Sequence, residues 1–154
     1  ARQHETAPTR RRPDGRMLRA DASHACRSMS AATWSAAETA DPHALILMLF
    51  EGARTAITIA RRHMEQNEIP EKGAAISKAI DIVNNGLRVS LDMENGGDLA
   101  ERLAALYEYI SQRLLWGNLK NDLAALDEAS QLLGELQSAW AMISPAAQAQ
   151  ANAA

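Results

Sequence analysis

From Asp41 to about Ile143 the large apolar residues recur every three or four positions, the spacing of helices that each bury one face. The first run opens at Asp41-Pro42, where Asp41 can cap the free N–H groups and Pro42 fits the first helical position, its missing N–H costing nothing there. Leu45, Leu49, Ala53, Ala56, Ala60 and Met64 continue the stripe to about Gln66, a rod of roughly 37 Å at 1.5 Å per residue. Its opening, HALILMLF, is apolar nearly all round. One packing face does not need that much, so this end is either deeply enclosed or meets a partner. Asn67 to Pro70 predicts a loop, and a second helix follows from about Glu71 to Glu94. Its main stripe is Ile76, Ile80, Val83, Leu87 and Leu91, with Ala79, Ile82, Gly86, Val89 and Met93 beside it. Asn85-Gly86 is a hairpin-turn pair in other settings, but the helical period runs through it, and Gly86 then lets another backbone approach.

The stretch LDMENGGDLAERLAALYEYI, residues 91–110, joins the two halves. Either Gly96 or Gly97 can take the left-handed conformation that ends a helix, and Asp98 can cap the next one. Leu99, Leu103, Leu106, Ile110 and Leu114 define the third helix, with Trp116-Gly117-Asn118 as its glycine stop. Asn121 or Asp122 can cap a fourth, whose stripe is Leu126, Ala129, Leu133, Leu136, Trp140 and Ile143 and which Ser144-Pro145 ends. Upstream, Met29 to Ala40 is a weak, Ala-rich helix with Trp34 as its large apolar group. Long helices on short connections lie antiparallel to their neighbours. The expected fold is therefore all-α, an up-down-up-down antiparallel four-helix bundle over residues 28–144 with a short additional N-terminal helix. Residues 1–27 lack a period and carry Pro8, Pro13 and Gly15, and residues 145–154 are an Ala/Gln-rich tail; both are expected to be disordered.

Composition sharpens this picture in three ways. At 154 residues and 47% apolar, the chain can fill one core without a metal or disulfide, and the single Cys26 fits a reducing, cytoplasmic setting. The longest apolar run, Ala44 to Phe50, falls short of the roughly 20 residues that span a bilayer, so no membrane insertion is expected. Charge is uneven: residues 1–27 hold seven arginines against Glu5, Asp14 and Asp21, a net of +4, while the rest holds nine Lys or Arg against sixteen acids, a net of −7. Nucleic acid would have to bind through the Arg-rich tail alone, because the body repels phosphate. A solvated tail is the plainer reading of Arg10 to Arg12.

Chemistry has little to stand on. The inward Glu-x-x-His pairs of a di-metal bundle are missing, since Ala60 lies three residues before His63 and His43 precedes the apolar opening of its helix. Cys26 has no fixed base nearby, and no Gly-x-Ser-x-Gly or phosphate loop occurs. Neither metal nor cofactor is expected, and the chain does not read as an enzyme. Glu51 with Arg54 and Asp98 with Arg102 have the spacing of solvated ion pairs. What is left over is apolar surface. Trp34, Phe50, Tyr107, Tyr109, Trp116 and Trp140 do not share one seam, and of Tyr107 and Tyr109, two positions apart, one is expected outside. Such a surplus suits grooves that receive an amphipathic helix.

The sequences ADPHALILMLFEGA, AISKAIDIVNNGLRVSLDMENGGDLAERLAALYEYI and NLKNDLAALDEASQLLGELQSAW together resemble the FliS family of flagellin-specific secretion chaperones over residues 40–143. The order of Pro-x-x-Leu with MLFEGA, SLDMExGG, LYxY and the terminal Ala-Trp carries the resemblance. It implies a non-enzymatic chaperone that holds the C-terminal segment of flagellin in the cytoplasm, prevents premature polymerisation and helps deliver it to a flagellar type III export gate component. A monomer or weak homodimer is expected. Coupled folding of such a segment typically buries on the order of 1,000 to 3,000 Å². Family members carry an amino-terminal tyrosine about ten residues before the proline. That position here is Ala32, and the nearest aromatic is Trp34. The residues expected to line the groove, read as sitting beside the main stripes, are Trp34, Ile46, Leu49, Phe50, Ile82, Val89, Tyr109, Ile110, Arg113 and Trp116.

Overall fold

The computed structural model describes residues 41–143, which form four helices and no strand. The short N-terminal helix, the arginine-rich segment and the terminal tail of the sequence reading lie outside these residues.

Helix α1 spans Pro42–Glu65 and begins as its sequence dictates, with the Asp41 carboxylate accepting from the Ala44 N–H at 2.7 Å and Pro42 in the first turn. Leu49, Ala53, Ala56, Ala60 and Met64 of the expected stripe are buried. Asn67 takes a left-handed turn, with φ 57°. Ile69 and Pro70, expected in the loop, instead open α2, Ile69–Ile82, because proline needs no hydrogen bond in a first turn.

The winding then widens into a π-helical segment, Val83–Arg88, and stops. The expectation of one helix running to Glu94 is corrected here; of the three side-chain bonds around the segment, only that of Ser90 engages its backbone. The Asn85 amide donates to Asp81 at 2.6 Å, the Ser90 hydroxyl donates to the Gly86 carbonyl at 2.6 Å, and the Ser111 hydroxyl reaches across from the next helix to Asn84 at 3.0 Å. Val89 and Met93 therefore leave the second stripe and stand exposed in the joint.

In that joint the Asp92 carboxylate accepts from the backbone N–H of Glu94 and Asn95 at 3.2 and 3.1 Å. A Cβ on Gly96 would come within 2.4 Å of the Asp92 carbonyl, and Gly97 sits at φ +55°. The paired glycine is thus required twice, once for space and once for handedness. Helix α3 starts at Gly97 with Gly96 as its cap, so Asp98 lies in the first turn and makes no capping hydrogen bond, contrary to expectation; its charge still suits the helix N-terminus. Gly97→Ala should cost about 1–2 kcal/mol, the penalty of a side chain in left-handed backbone, read as a lowered urea midpoint at unchanged slope.

Helix α3, Gly97–Lys120, also runs past the expected stop at Trp116-Gly117-Asn118. Gly117 is buried, and a Cβ there would lie 2.9 Å from Leu126 Cδ2; it seats the next helix rather than ending its own. The end falls at Asn121, with φ 49°, and Asp122 caps α4, Leu123–Met142, by accepting from the Ala124 N–H at 3.0 Å. From α2, the Lys72 ammonium, only 3% exposed, donates to the Asn118 carbonyl at 3.0 Å and to the Asn121 side chain. It satisfies carbonyl and amide oxygens that the end of α3 would leave unpaired.

Helix α1 packs most extensively against α2 and next against α4, while α3 packs against α4 and against α2 with its π segment. His43, at the start of α1, stacks on Trp140, near the end of α4, and each ring bonds the other's carbonyl at 2.8 and 3.0 Å. Arg61, near the end of α1, reaches Asp127, near the start of α4, at 3.1 Å. Phe50, Ile57, Ile76, Ile82, Val83, Leu87, Ile110, Leu114, Leu126 and Leu133 fill the centre. By length and composition α1 is also apolar enough to cross a bilayer, which the longest-run criterion missed. Its buried row of Leu49, Phe50, Ala53, Ala56, Ile57, Ala60 and Met64 is used for packing within the fold.

Of the two neighbouring tyrosines, Tyr107 is buried against Phe50, ring centroids 6.5 Å apart, and Tyr109 is exposed. Burial pushes the Tyr107 phenol from 10.0 up to about 12. A raised folded value means that the neutral phenol stabilises the fold fully below pH 10, and that this contribution is lost as pH rises to about 12. The loss is on the order of 2–3 kcal/mol. In Tyr107→Phe that alkaline step should be missing from a plot of unfolding free energy against pH.

Candidate partner-binding surface

The ten residues expected in a groove fall into separate groups. Trp34 lies outside the described residues. Leu49, Phe50, Ile82 and Ile110 are in the core, so their expected place in an open groove is corrected: each faces inward, where the helices fill the space around it. Ile46 is half-buried at the start of α1, and Val89 is exposed in the joint.

Tyr109, Arg113 and Trp116 do come together. Steps of four and three keep them on one side of α3, beside α4. The Tyr109 hydroxyl donates to one oxygen of Glu128, and Arg113 Nε stands 2.8 Å from the other. The tyrosine's hydrogen bond, helped by the arginine, holds the Glu128 carboxyl below its ordinary range; the same bond raises the Tyr109 phenol. One helical turn further, the Lys120 ammonium lies 5.5 Å from the centre of the Trp116 ring, within cation–π reach.

Trp116 is 46% exposed, and its neighbours Leu115 and Leu119 are 60% and 73% exposed. The sequence reading missed both leucines. The signal was present, because Leu115 and Leu119 are four apart and fall one position outside the Ile110–Leu114 stripe, which places an apolar pair on the outward side of the helix. A solvated helix face is polar; this one carries two leucines and an indole in a row.

A second feature lies between α1 and α4. Leu47, Met48, Glu51, Arg54, Gln137, Ser138 and Ala141 line an open groove of ≈ 550 Å³, one turn in from the His43–Trp140 clasp. The apolar excess of the HALILMLF opening is thereby accounted for: Leu49 and Phe50 enter the core, while Leu47 and Met48 wall the groove. The expected Glu51–Arg54 ion pair does not form. Gln137 stands between them, accepting from Arg54 Nη1 at 3.0 Å and donating to Glu51 at 3.0 Å. Nor do Asp98 and Arg102 form one of the ion pairs found among the described residues. No three His, Cys, Asp or Glu side chains among these residues stand close enough to hold a metal ion.

The sequence model of the family described as flagellar protein FliS matches residues 26–147, most of the chain and all of both surfaces. The chain belongs to the FliS family. It is 49% identical over 113 residues to the flagellar secretion chaperone FliS of Salmonella typhimurium, covering 73% of this chain and 84% of that protein. Against the flagellar secretion chaperone FliSB of Pseudomonas aeruginosa the identity is 50% over 105 residues, 68% of this chain and 82% of the relative. The likeness extends to FliS of Bacillus subtilis at 28% over 102 residues. The FliS match begins upstream of Trp34 and so takes in the short segment before Asp41.

Proposed function

We propose that this FliS-family chain binds flagellin in the cytoplasm, masks its C-terminal segment, prevents premature polymerisation and assists its delivery to a flagellar type III export gate component. The observation that carries the reading is the outward row of Leu115, Trp116 and Leu119, apolar surface that four helices of this length leave uncovered, in a chain half identical to proteins named flagellar secretion chaperones. A disordered segment that folds as an amphipathic helix gains most from such a face, and the cost of ordering it keeps the complex releasable. The role is non-enzymatic and uses no cofactor. The body carries net negative charge, which favours a protein partner over nucleic acid.

The same proposal includes the arrangement of the scaffold as an antiparallel up-down-up-down bundle over residues 28–144, working as a monomer or weak homodimer. Short connections support it, and so do the paired contacts His43–Trp140 and Arg61–Asp127, which join opposite ends of α1 and α4.

The test is a pull-down with purified flagellin and with flagellin lacking its C-terminal segment. Capture of the intact protein and loss on truncation is the expected result. Equal capture of both would rule out masking of that segment.

A further inference from the structure

Arg54 is the half-buried guanidinium that forms no ion pair among the described residues; Arg113, similarly placed on α3, is neutralised by Glu128. Its Nη1 donates to the neutral Gln137, and that amide holds Glu51 away from it. Its Nε is shielded from solvent and has no hydrogen-bond partner. The guanidinium lies flat against α4 at Gly134, where a Cβ would come within 3.1 Å of Cζ and 3.2 Å of Nη2. Around it stand Leu47, Met48 and Ala141, the apolar walls of the ≈ 550 Å³ groove. A guanidinium is a rigid fork of five donors. Arg54 Nη1 is bonded only to a neutral amide, and a carboxylate that accepts two parallel N–H bonds supplies the charged partner that Gln137 does not.

We propose that the α1–α4 groove recognises a carboxylate on the bound segment through Arg54, with a large apolar side chain of the same segment, one helical turn away, packed between Leu47, Met48 and Ala141. The inference rests on the proposed binding of a flagellin segment and adds the chemistry by which one part of that segment is chosen. Charge supports the occupant at Arg54, which a carboxylate completes and a cationic group would repel; Glu51, also in the groove lining and bonded to Gln137, confines that carboxylate to the Arg54 side of the amide. Gly134 is part of the device, since a glycine inside a helix is otherwise unfavourable relative to alanine and a Cβ here would crowd the guanidinium.

The experiment is calorimetric titration of the full chain with purified flagellin C-terminal segment, using Arg54→Gln and Gly134→Ala, together with segment variants in which each Asp or Glu is changed singly to its amide. Arg54→Gln should weaken binding at least tenfold. Gly134→Ala, which displaces the guanidinium while favouring the helix, should weaken binding without lowering the melting temperature. One amide variant of the segment should weaken binding to the unaltered chain but not to Arg54→Gln, the coupling that identifies the paired carboxylate. If Arg54→Gln binds as tightly as the unaltered chain, or if every amide variant loses affinity equally for both, the inference is overturned while segment binding stands. If the segment fails to bind the unaltered chain at all, the proposed function falls and takes this inference with it.

Discussion

Phe50→Ala should lower the unfolding free energy by about 3–5 kcal/mol, the usual cost of emptying a buried aromatic site. Phe50 is enclosed by the helices and faces the Tyr107 ring at 6.5 Å. Removing its ring empties space that α1 shares with α3, in a core whose other large side chains are themselves fully buried. Domains of this size have only about 5–15 kcal/mol in total, so the variant should remain folded at low temperature with a strongly reduced denaturant midpoint. The measurement that matters is paired. Equilibrium unfolding should show the loss, and affinity for the flagellin segment, corrected for the folded fraction, should be unchanged. A loss of affinity in the fully folded variant would return Phe50 to the binding surface.

Trp116→Ala should do the reverse. The indole is half exposed and packs on one side against the Lys120 ammonium, so truncating it leaves no cavity. Surface substitutions of this kind usually change stability by less than about 0.5 kcal/mol. If the outward face of α3 is where a partner helix is desolvated, the same change should cost at least ~2 kcal/mol in binding, roughly a thirtyfold rise in Kd. Leu119→Ala, at the most exposed of the three, should fall in the same direction and by less. Normal affinity in both variants would leave α3 out of the interface and place the weight on the α1–α4 groove.

The contrast between these residues shows what was legible in the chain and what was not. Period and punctuation were enough for the four helices: Asp41-Pro42 and Asp122 cap where their chemistry places them, and Gly97 takes the left-handed turn. The same rules misjudged Gly117 and the residues after Ile82. Glycine ends a helix when it faces solvent, but Gly117 faces Leu126, and the difference lies in a neighbour more than one helix turn away in the chain. Asn84 of the π segment meets Ser111 of the next helix, a contact that no local pattern carries. For the binding surface, periodicity ranks positions around a helix but does not say which side another helix will cover. Hence Ile82 and Ile110 read as groove residues although they are in the core, while Leu115 and Leu119, off the stripe and exposed, do not stand out by period alone. Arg54 was misread for a related reason. Its spacing to Glu51 is right for a pair, and only the arrival of Gln137 from α4 separates them.

The reciprocal hydrogen bonds between His43 and Trp140 bring the first turn of α1 beside the last turn of α4. Topologically the described chain is almost a closed ring, with its seam at this clasp. A short linker across the seam would complete the circle, and new ends could be opened in the exposed 93–95 stretch, where neither core nor groove is cut. Whatever is joined to either flank of residues 41–143 is then presented at one pole of the molecule, next to the groove mouth and on the same side as the glycine joint, because the pairing of Phe50 with Tyr107 sets the starts of α1 and α3 level.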